Sequence, residues 1–226
     1  LMVAGLDVWP DALGSCPSEW RIEEERLAKR LGVNYFRSPP DFREKNQNSE
    51  YLKKHVPLVR FPRWYYCPDR NCGQMRFRNL FDAGEERCHS DKHKDIPDFR
   101  VPRLMPVRFV AACPKGHIED FPFHRWVHYG DVAPLEDHTL SYSAGTSASL
   151  SGITIRCSCG KQRNLGGAFS FSREEGGPIS RLGHRCQGLQ PWLGQSTEEH
   201  RCGEHLQALQ RGGSNVYFPQ TYSSIY

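Results

Sequence analysis

The sequence predicts an irregular α+β fold made of short antiparallel sheets and a few helices. Three strand-like runs, at 57–67, 105–117 and 153–160, each lead into closely spaced cysteine or histidine residues. Only 38% of the 226 residues are hydrophobic and the mean hydropathy is -0.66, which is lean for a core of that size. Cross-links or bound metal would have to supplement such a core.

The cysteines are better explained as metal ligands than as disulfides. There are nine of them, an odd number, together with ten histidines. No signal peptide is visible at the start of the chain, which argues against an oxidising compartment. Zinc takes tetrahedral sets of cysteine and histidine. We therefore expect a zinc-stabilised fold with zinc-ribbon-like knuckles, two zinc ions, and a cytoplasmic location.

Charge and hydropathy exclude little else. The net charge is +4, from 30 basic and 26 acidic residues, which is too mild to prove a nucleic-acid partner. No apolar run approaches the roughly 18 residues of a membrane span. The chain starts at Leu1 and stops at Tyr226 within an extended, aromatic segment, so we expect it to be part of a longer polypeptide.

Local patterns predict three helices. The first runs from Ser18, a capping residue, to Leu31, with Gly32 as its stop. A second, short helix follows Asp120 and ends before Gly130. Residues 206–210 are predicted as a third helix, which the following glycines end before a strand begins.

The first predicted zinc site pairs two similar segments. Cys67 and Cys72 are separated by four residues, and so are Cys88 and His93. These four residues form the preferred site, with three thiols and one imidazole. Cys113 and His117 are the alternate second pair. A further alternative is that Cys88 and His93 are ordinary surface residues.

The second predicted zinc site contains only thiols: Cys157, Cys159, Cys186 and Cys202. A site with four protein ligands is closed, so it stabilises a fold and activates no water. His184 and His200 are possible substitutes for one of the thiols.

Two histidine patterns suggest catalysis only weakly. The His117-Ile118-Glu119 segment could open a zinc-deaminase signature, but the Pro-Cys-x-x-Cys that completes it is missing. His124 and His128 share a helix face without the glutamate of the metalloprotease pattern, which favours packing beside Trp126 over metal binding.

Residues 139–152 are small and polar and could link two domains. The division would give an N-terminal region at 1–138 and the start of a second zinc-binding domain at 139–226. Leu140, Tyr142 and Leu150 argue partly against a flexible linker, because they could serve as anchors in a core.

Arginines and aromatic residues alternate between residues 60 and 78. Arginine with exposed aromatics suits phosphate contact and base stacking, and we select Arg60, Arg63, Arg76 and Arg78 as candidate nucleic-acid ligands. The alternative is a half-buried strand whose arginines are solvated or pair with acids of the chain.

Four stretches carry a family resemblance: VRFPRWYYCP at 59–68, PVRFVAACPKGHIEDFP at 106–122, SASLSG at 147–152 and RGGSNVYFP at 211–219. In combination they resemble the DrmB family of DISARM anti-phage subunits, which carry a helicase-associated zinc-binding domain. The resemblance covers nearly all of the chain from about residue 25 onward.

The resemblance implies an accessory subunit that binds a superfamily-two helicase-like partner of the DrmA type and helps it engage foreign DNA. It also implies that Cys157, Cys159, Cys186 and Cys202 are the ligands of the helicase-associated domain. The sequence has no Gly-x4-Gly-Lys-Ser/Thr loop and no serine elbow, in keeping with an accessory role. A protein-interaction subunit without DNA contact, and a zinc hydrolase or deaminase, are the alternatives.

Overall fold

A computed structural model describes residues 1–5, 20–39, 56–131, 138–145, 149–172, 174–193, 202–213 and 220–223. The predicted α+β class, with short antiparallel sheets and few helices, is confirmed in this part of the chain. No described strand is longer than five residues. The longest described helix has seven residues, and none of the described helices has the length and apolarity to cross a membrane.

The bounds of the described elements follow the chain. The helices are α1 Glu25–Leu31, α2 Phe123–Val127 and α3 Pro178–Arg181. The strands are β1 Met2–Val3, β2 Arg21–Ile22, β3 Phe36–Arg37, β4 Leu58–Val59, β5 Trp64–Tyr66, β6 Met75–Phe77, β7 Met105–Pro106, β8 Phe109–Ala112, β9 Ile118–Asp120, β10 Leu140–Ala144, β11 Ile153–Cys157, β12 Gln162–Asn164 and β13 Gln207–Gln210.

The strands form five small antiparallel sheets. Two of them are pairs, β1 with β4 and β2 with β3. The other three have three strands each, in the orders β6-β5-β7, β13-β8-β9 and β10-β11-β12. Such small sheets bury little surface individually, so they depend on one another and on further cross-links for stability.

One buried cluster joins these sheets. Phe109 of β8, Trp126 of α2 and Ile155 of β11 pack in the same cluster, together with Leu206 just before β13. Each of these side chains is at most 3% exposed. The cluster draws on both sides of the division expected between residues 138 and 139, and so does the pairing of β13 with β8.

The first predicted helix is wrong at its start. α1 begins at Glu25, because Arg21 and Ile22 pair with β3 instead of continuing a helical turn. Residues 18 and 19 lie outside the described part of the chain. The predicted stop is confirmed, since Gly32 adopts φ 68° and its N–H binds the carbonyl of Ala28.

The short helix before Gly130 is confirmed as α2, although Asp120 does not cap it. Asp120 lies in β9, and its carboxylate accepts hydrogen bonds from Arg63.

The helix predicted at 206–210 is wrong, because Gln207–Gln210 pair along their whole length with β8. That pairing buries Ala208 and Leu209, which outweighs a weak helical preference. The strand expected after it falls largely on residues outside the described part.

The expected linker at 139–152 contributes to the fold. Residues 140–144 form β10, and the side chain of Tyr142 stacks on Tyr66 with ring centroids 4.3 Å apart. Leu150 begins a short 3-10 turn that leads into β11. Residues 146–148 lie outside the described part, so they are not characterised.

Candidate metal centres

Three clusters of cysteine and histidine lie in the described chain. Within each cluster, the donor atoms of all four residues are within 4.8 Å of one another. The ligand sets are Cys67, Cys72, Cys88 and His93 for cluster 1; Cys113, His117, Cys186 and Cys202 for cluster 2; and His128, His138, Cys157 and Cys159 for cluster 3. These three clusters could hold metal ions.

A tetrahedral zinc ion sets a geometric standard for the spacing of its ligands. Zn–S bonds of about 2.3 Å and Zn–N bonds of about 2.0 Å place two sulfurs about 3.8 Å apart. They also place a sulfur and a nitrogen about 3.5 Å apart, and two nitrogens about 3.3 Å apart. A disulfide would instead bring two sulfurs to about 2.05 Å.

Three donor pairs in clusters 1 and 2 lie close to these separations. In cluster 1, the sulfurs of Cys72 and Cys88 are 3.8 Å apart, and Cys67 Sγ lies 3.4 Å from His93 Nε2. In cluster 2, Cys113 Sγ lies 3.4 Å from His117 Nδ1. With all four donor atoms of each cluster within 4.8 Å of one another, these spacings are compatible with one tetrahedral ion in each of the two clusters.

Cluster 3 matches the standard for both kinds of donor pair. His128 Nε2 lies 3.3 Å from His138 Nδ1, the separation expected for two nitrogens. The same Nε2 lies 3.3 Å from Cys159 Sγ, and His138 Nδ1 lies 3.4 Å from Cys157 Sγ. The set has two imidazoles and two thiols, a combination typical of structural zinc.

Cluster 1 is assembled by a tight turn after β5. The N–H of Cys67 binds the carbonyl of Gln74, and the N–H groups of Cys72 and Gly73 both bind the carbonyl of Asp69. Gly73 adopts φ 60°, a region in which a residue with a side chain is strained. The turn therefore places both thiols on the same side, opposite Cys88 and His93.

Cluster 2 joins two distant segments. Cys113 and His117 flank the turn between β8 and β9, which is closed by a hydrogen bond from the N–H of Cys113 to the carbonyl of His117. Two backbone hydrogen bonds hold Cys186 beside the segment that follows Cys202. The N–H of Cys186 donates to the carbonyl of Glu204, and the carbonyl of Cys186 accepts from the N–H of Gly203. Cys202 is thereby brought next to Cys186.

Cluster 3 is set by strand register and by the end of α2. Leu140 is paired with Cys157, so His138, two residues before Leu140, reaches the knuckle that follows β11. His128 caps the end of α2, and its Nδ1 lies 2.7 Å from the carbonyl oxygen of His124. When that nitrogen donates its proton, Nε2 keeps a free lone pair and faces Cys159.

Burial affects the protonation state of the thiols. Burial raises the pKa of Cys67 to about 12, and burial likewise raises the pKa of Cys186. Without a metal these thiols would remain protonated at neutral pH, whereas a coordinated ion deprotonates them outright. Cys159 is the exposed exception, and a hydrogen bond from the backbone of Lys161 lowers its pKa to about 7.

The structure brings together the four residues selected for the first site, Cys67, Cys72, Cys88 and His93. It does not bring together the four cysteines selected for the second. Cys157 and Cys159 lie in cluster 3, whereas Cys186 and Cys202 lie in cluster 2 with the alternates Cys113 and His117. The physical reason is that the two thiol pairs belong to different sheets, one following β11 and the other facing the turn between β8 and β9. The described chain therefore has three candidate metal clusters where two were expected.

The histidines divide differently from the expectation. His128, expected to pack beside Trp126, lies in cluster 3, and so does His138, which is not among the expected ligands. No motif or spacing in the sequence points to His138, which precedes the segment expected to be a linker. His184 is bound to Glu119, and His200 lies outside the described part.

Glu119 binds the residues on either side of Cys186 in cluster 2. Its side chain is 4% exposed, and one carboxylate oxygen lies 2.7 Å from His184 Nε2. The other oxygen accepts a hydrogen bond from the N–H of Gln187, 3.2 Å away. Since His184 and Gln187 flank Cys186, the carboxylate fixes the loop that carries this ligand.

Replacing Glu119 by glutamine is expected to weaken zinc binding at cluster 2 by about 10- to 100-fold, the usual effect of losing a partner behind a ligand. The amide keeps the size of the side chain but loses the charge-assisted contact with His184. Competition with a chromogenic chelator would measure the affinity. Glu85→Gln is the matched control, because Glu85 pairs with Arg103 at the surface. Equal zinc retention in both variants would contradict the supporting role.

The candidate nucleic-acid arginines are largely engaged inside the protein. Arg60 is 8% exposed and donates to the carbonyls of Asp82 and Gly84. Arg78 is 7% exposed and lies 2.8 Å from Glu86.

The other two arginines pair with acids, as Arg78 does. Arg63 binds Asp120 at 2.8 Å with its guanidinium stacked 4.4 Å from the ring centroid of Phe77. Arg76 is half exposed but pairs with Glu86 at 2.9 Å. Three of the four candidate arginines, Arg63, Arg76 and Arg78, therefore pair with acids of the chain, which is the alternative that the sequence analysis gave for this region.

Two comparisons with known proteins bear on this chain. It is 30% identical over 209 residues to a protein of Bacillus paralicheniformis named DISARM protein DrmB. That alignment covers 91% of this chain but only 33% of the relative, so the chain spans about a third of the length of the protein it matches. A family model described as a domain of unknown function, DUF8724, matches residues 1–218. The chain therefore belongs to the DUF8724 family.

Proposed function

We propose that this chain is the zinc-binding accessory part of a DISARM-type phage-defence protein. In this role it binds a superfamily-two helicase-like subunit of the DrmA type and helps that subunit engage foreign DNA. The observation that carries the proposal is the 30% identity to DISARM protein DrmB, which extends over nearly the whole chain.

Zinc is the proposed ion, with one in each of the three clusters. The sulfur and nitrogen donors exclude hard cations such as Mg²⁺ and Ca²⁺, which prefer oxygen. All eight described cysteines are free of disulfides and belong to the clusters, which supports a reducing compartment such as the cytoplasm. The ions act as cross-links between sheets that are individually too small to be stable.

An enzymatic role has less support. Each cluster offers four protein ligands, which leaves no open position for a water or a substrate. Glu119, the residue that a deaminase would use to move a proton, is buried against His184 and Gln187. We therefore infer that ATP hydrolysis belongs to the partner and that this chain supplies binding surfaces.

A pure protein-interaction scaffold is the second candidate. Phe81 and Phe99 are 70% and 72% exposed, and both are far more accessible than aromatic side chains usually are. Arg60, Arg63 and Arg78 are engaged internally, which limits phosphate contact in this region. In that case the exposed side chains of Phe81 and Phe99 contact the helicase-like subunit.

Co-expression with a tagged DrmA-type subunit tests the proposal. The chain should be retained on the affinity resin with its partner, and the pair should shift a labelled DNA fragment more strongly than the partner alone. A double variant, Phe81→Ser with Phe99→Ser, should lose the partner if the exposed aromatics form the contact. Failure of the wild-type chain to co-purify would contradict the proposed complex, whatever the behaviour of DNA.

A further inference from the structure

A polar groove opens between the end of α2 and the sheet β10-β11-β12. It has a volume of about 500 Å³. Its lining residues are Tyr129, Thr154, Arg156, Gln162, Arg163 and Asn164. There is no carboxylate among them, so the groove combines two guanidinium groups with hydrogen-bonding amides, one hydroxyl and one phenol.

The two arginines of the groove differ from those near cluster 1. Within the described residues, neither Arg156 nor Arg163 forms a salt bridge, whereas Arg63, Arg76 and Arg78 each pair with an acid. Arg156 donates to the side chain of Gln162 at 3.1 Å. Its charge is therefore not neutralised by a described neighbour.

Arg163 is held in place by aromatic rings. Its guanidinium carbon lies 3.7 Å from the ring centroid of Trp126 and 4.5 Å from that of Tyr129. Nη1 donates to the carbonyl of Trp126 at 3.1 Å. A stacked guanidinium loses little conformational entropy when a ligand binds its remaining donors, because its plane is already fixed.

Tyr129 has an unusual backbone and an exposed ring. It is the one described residue other than glycine with a positive φ, at 58°. A left-handed conformation costs a residue with a Cβ roughly 1–2 kcal/mol, and such strain is concentrated at functional sites. The side chain is 63% exposed and lies beside Arg163, so the strained backbone presents an aromatic ring at the mouth of the groove.

We propose that this groove binds single-stranded nucleic acid, with an unpaired base stacked on Tyr129 and backbone phosphates contacted by Arg156 and Arg163. This inference rests on the proposed role in engaging DNA and gives that role a location away from Arg60 and Arg78. An aromatic ring beside unpaired arginines is the combination that single-strand-binding proteins use. A duplex fits less well, because its bases are already stacked.

Fluorescence anisotropy with a labelled oligothymidylate of about ten nucleotides tests the groove. Tyr129→Asn removes the ring while keeping a residue that tolerates the left-handed backbone. It should weaken binding by about 5-fold or more, the loss expected for one stacked base. Arg156→Gln should lower the slope of log K against log salt by about 0.7, the value for one phosphate contact to a single strand.

Arg103→Gln is the matched control, since Arg103 is exposed and pairs with Glu85. Zinc content and circular dichroism of each variant show that the neighbouring cluster 3 is intact. If both groove variants bound the oligonucleotide with the affinity and salt slope of the wild type, nucleic-acid binding by this groove would be disproved. The proposed engagement of DNA through another surface would still stand. A wild-type chain that binds no oligonucleotide, even with its helicase-like partner, would overturn both. Equal weakening for duplex and single strand would overturn the stacked base.

Discussion

Removal of zinc is expected to unfold most of the described chain. Structural zinc contributes about 10–16 kcal/mol in zinc-finger peptides, as much as the whole stability of a typical domain of about 5–15 kcal/mol. Three such ions, one in each candidate cluster, would cross-link sheets of only two or three strands. Metal analysis should find about three zinc ions per chain. Chelation should abolish the far-ultraviolet dichroism of the strands, and added zinc should restore it.

Single ligand variants distinguish three mixed clusters from two sites. His138→Ala should remove one zinc ion and leave the other two, because His138 belongs to cluster 3 alone. A site made of Cys157, Cys159, Cys186 and Cys202 predicts no change in this variant. His89→Ala is the matched control, since His89 is exposed beside Cys88 but lies in none of the clusters. Full zinc content in His138→Ala would contradict cluster 3.

Gly73→Ala is expected to destabilise the protein by about 4 kcal/mol or more, at the extreme of single substitutions. A Cβ at this position would overlap the backbone carbonyl oxygen of Tyr142. The backbone cannot move away easily, because the N–H of Tyr142 donates to the Gly73 carbonyl at 2.7 Å. The measurement is the midpoint of urea unfolding with zinc present.

Gly32→Ala separates the overlap from backbone strain. Gly32 has a similar φ of 68°, yet a Cβ there meets nothing within 4 Å. Its cost should be about 1 kcal/mol, from the left-handed backbone alone. If the two variants unfolded at the same urea concentration, the close contact between Gly73 and the backbone of Tyr142 would be disproved.

Metal ligands that are close in sequence could be predicted from the sequence, whereas ligands brought together by strand pairing could not. The first ligand set could be chosen because Cys67, Cys72, Cys88 and His93 are close in sequence and repeat one spacing. Cluster 3 depends on the pairing of Leu140 with Cys157 and on the position of α2 above that sheet. No spacing in the chain encodes those contacts, so His138 gave no sign of its role.

The errors in secondary structure have the same origin. Residues 207–210 have side chains that suit a helix, but they form a strand because they pair with the edge of β8. Likewise, Ser141, Ser143 and Ala144 have the small side chains of a linker, but they form a strand because β11 pairs with them. In both segments tertiary partners decide the conformation, because the intrinsic preferences are worth only tenths of a kcal/mol per residue.

The reach of each cluster along the chain sets an order of assembly during synthesis. Cluster 1 closes a short loop, since Cys67 and His93 are 26 residues apart, and it can form as soon as that loop leaves the ribosome. Cluster 2 must wait for Cys202, long after Cys113 and His117 have emerged. In the interval these two ligands form an unfinished half-site, and β8 lacks β13 at its edge. If the clusters bind metal as proposed, the nascent chain is most exposed to aggregation and to binding of the wrong metal just before β13 is synthesised.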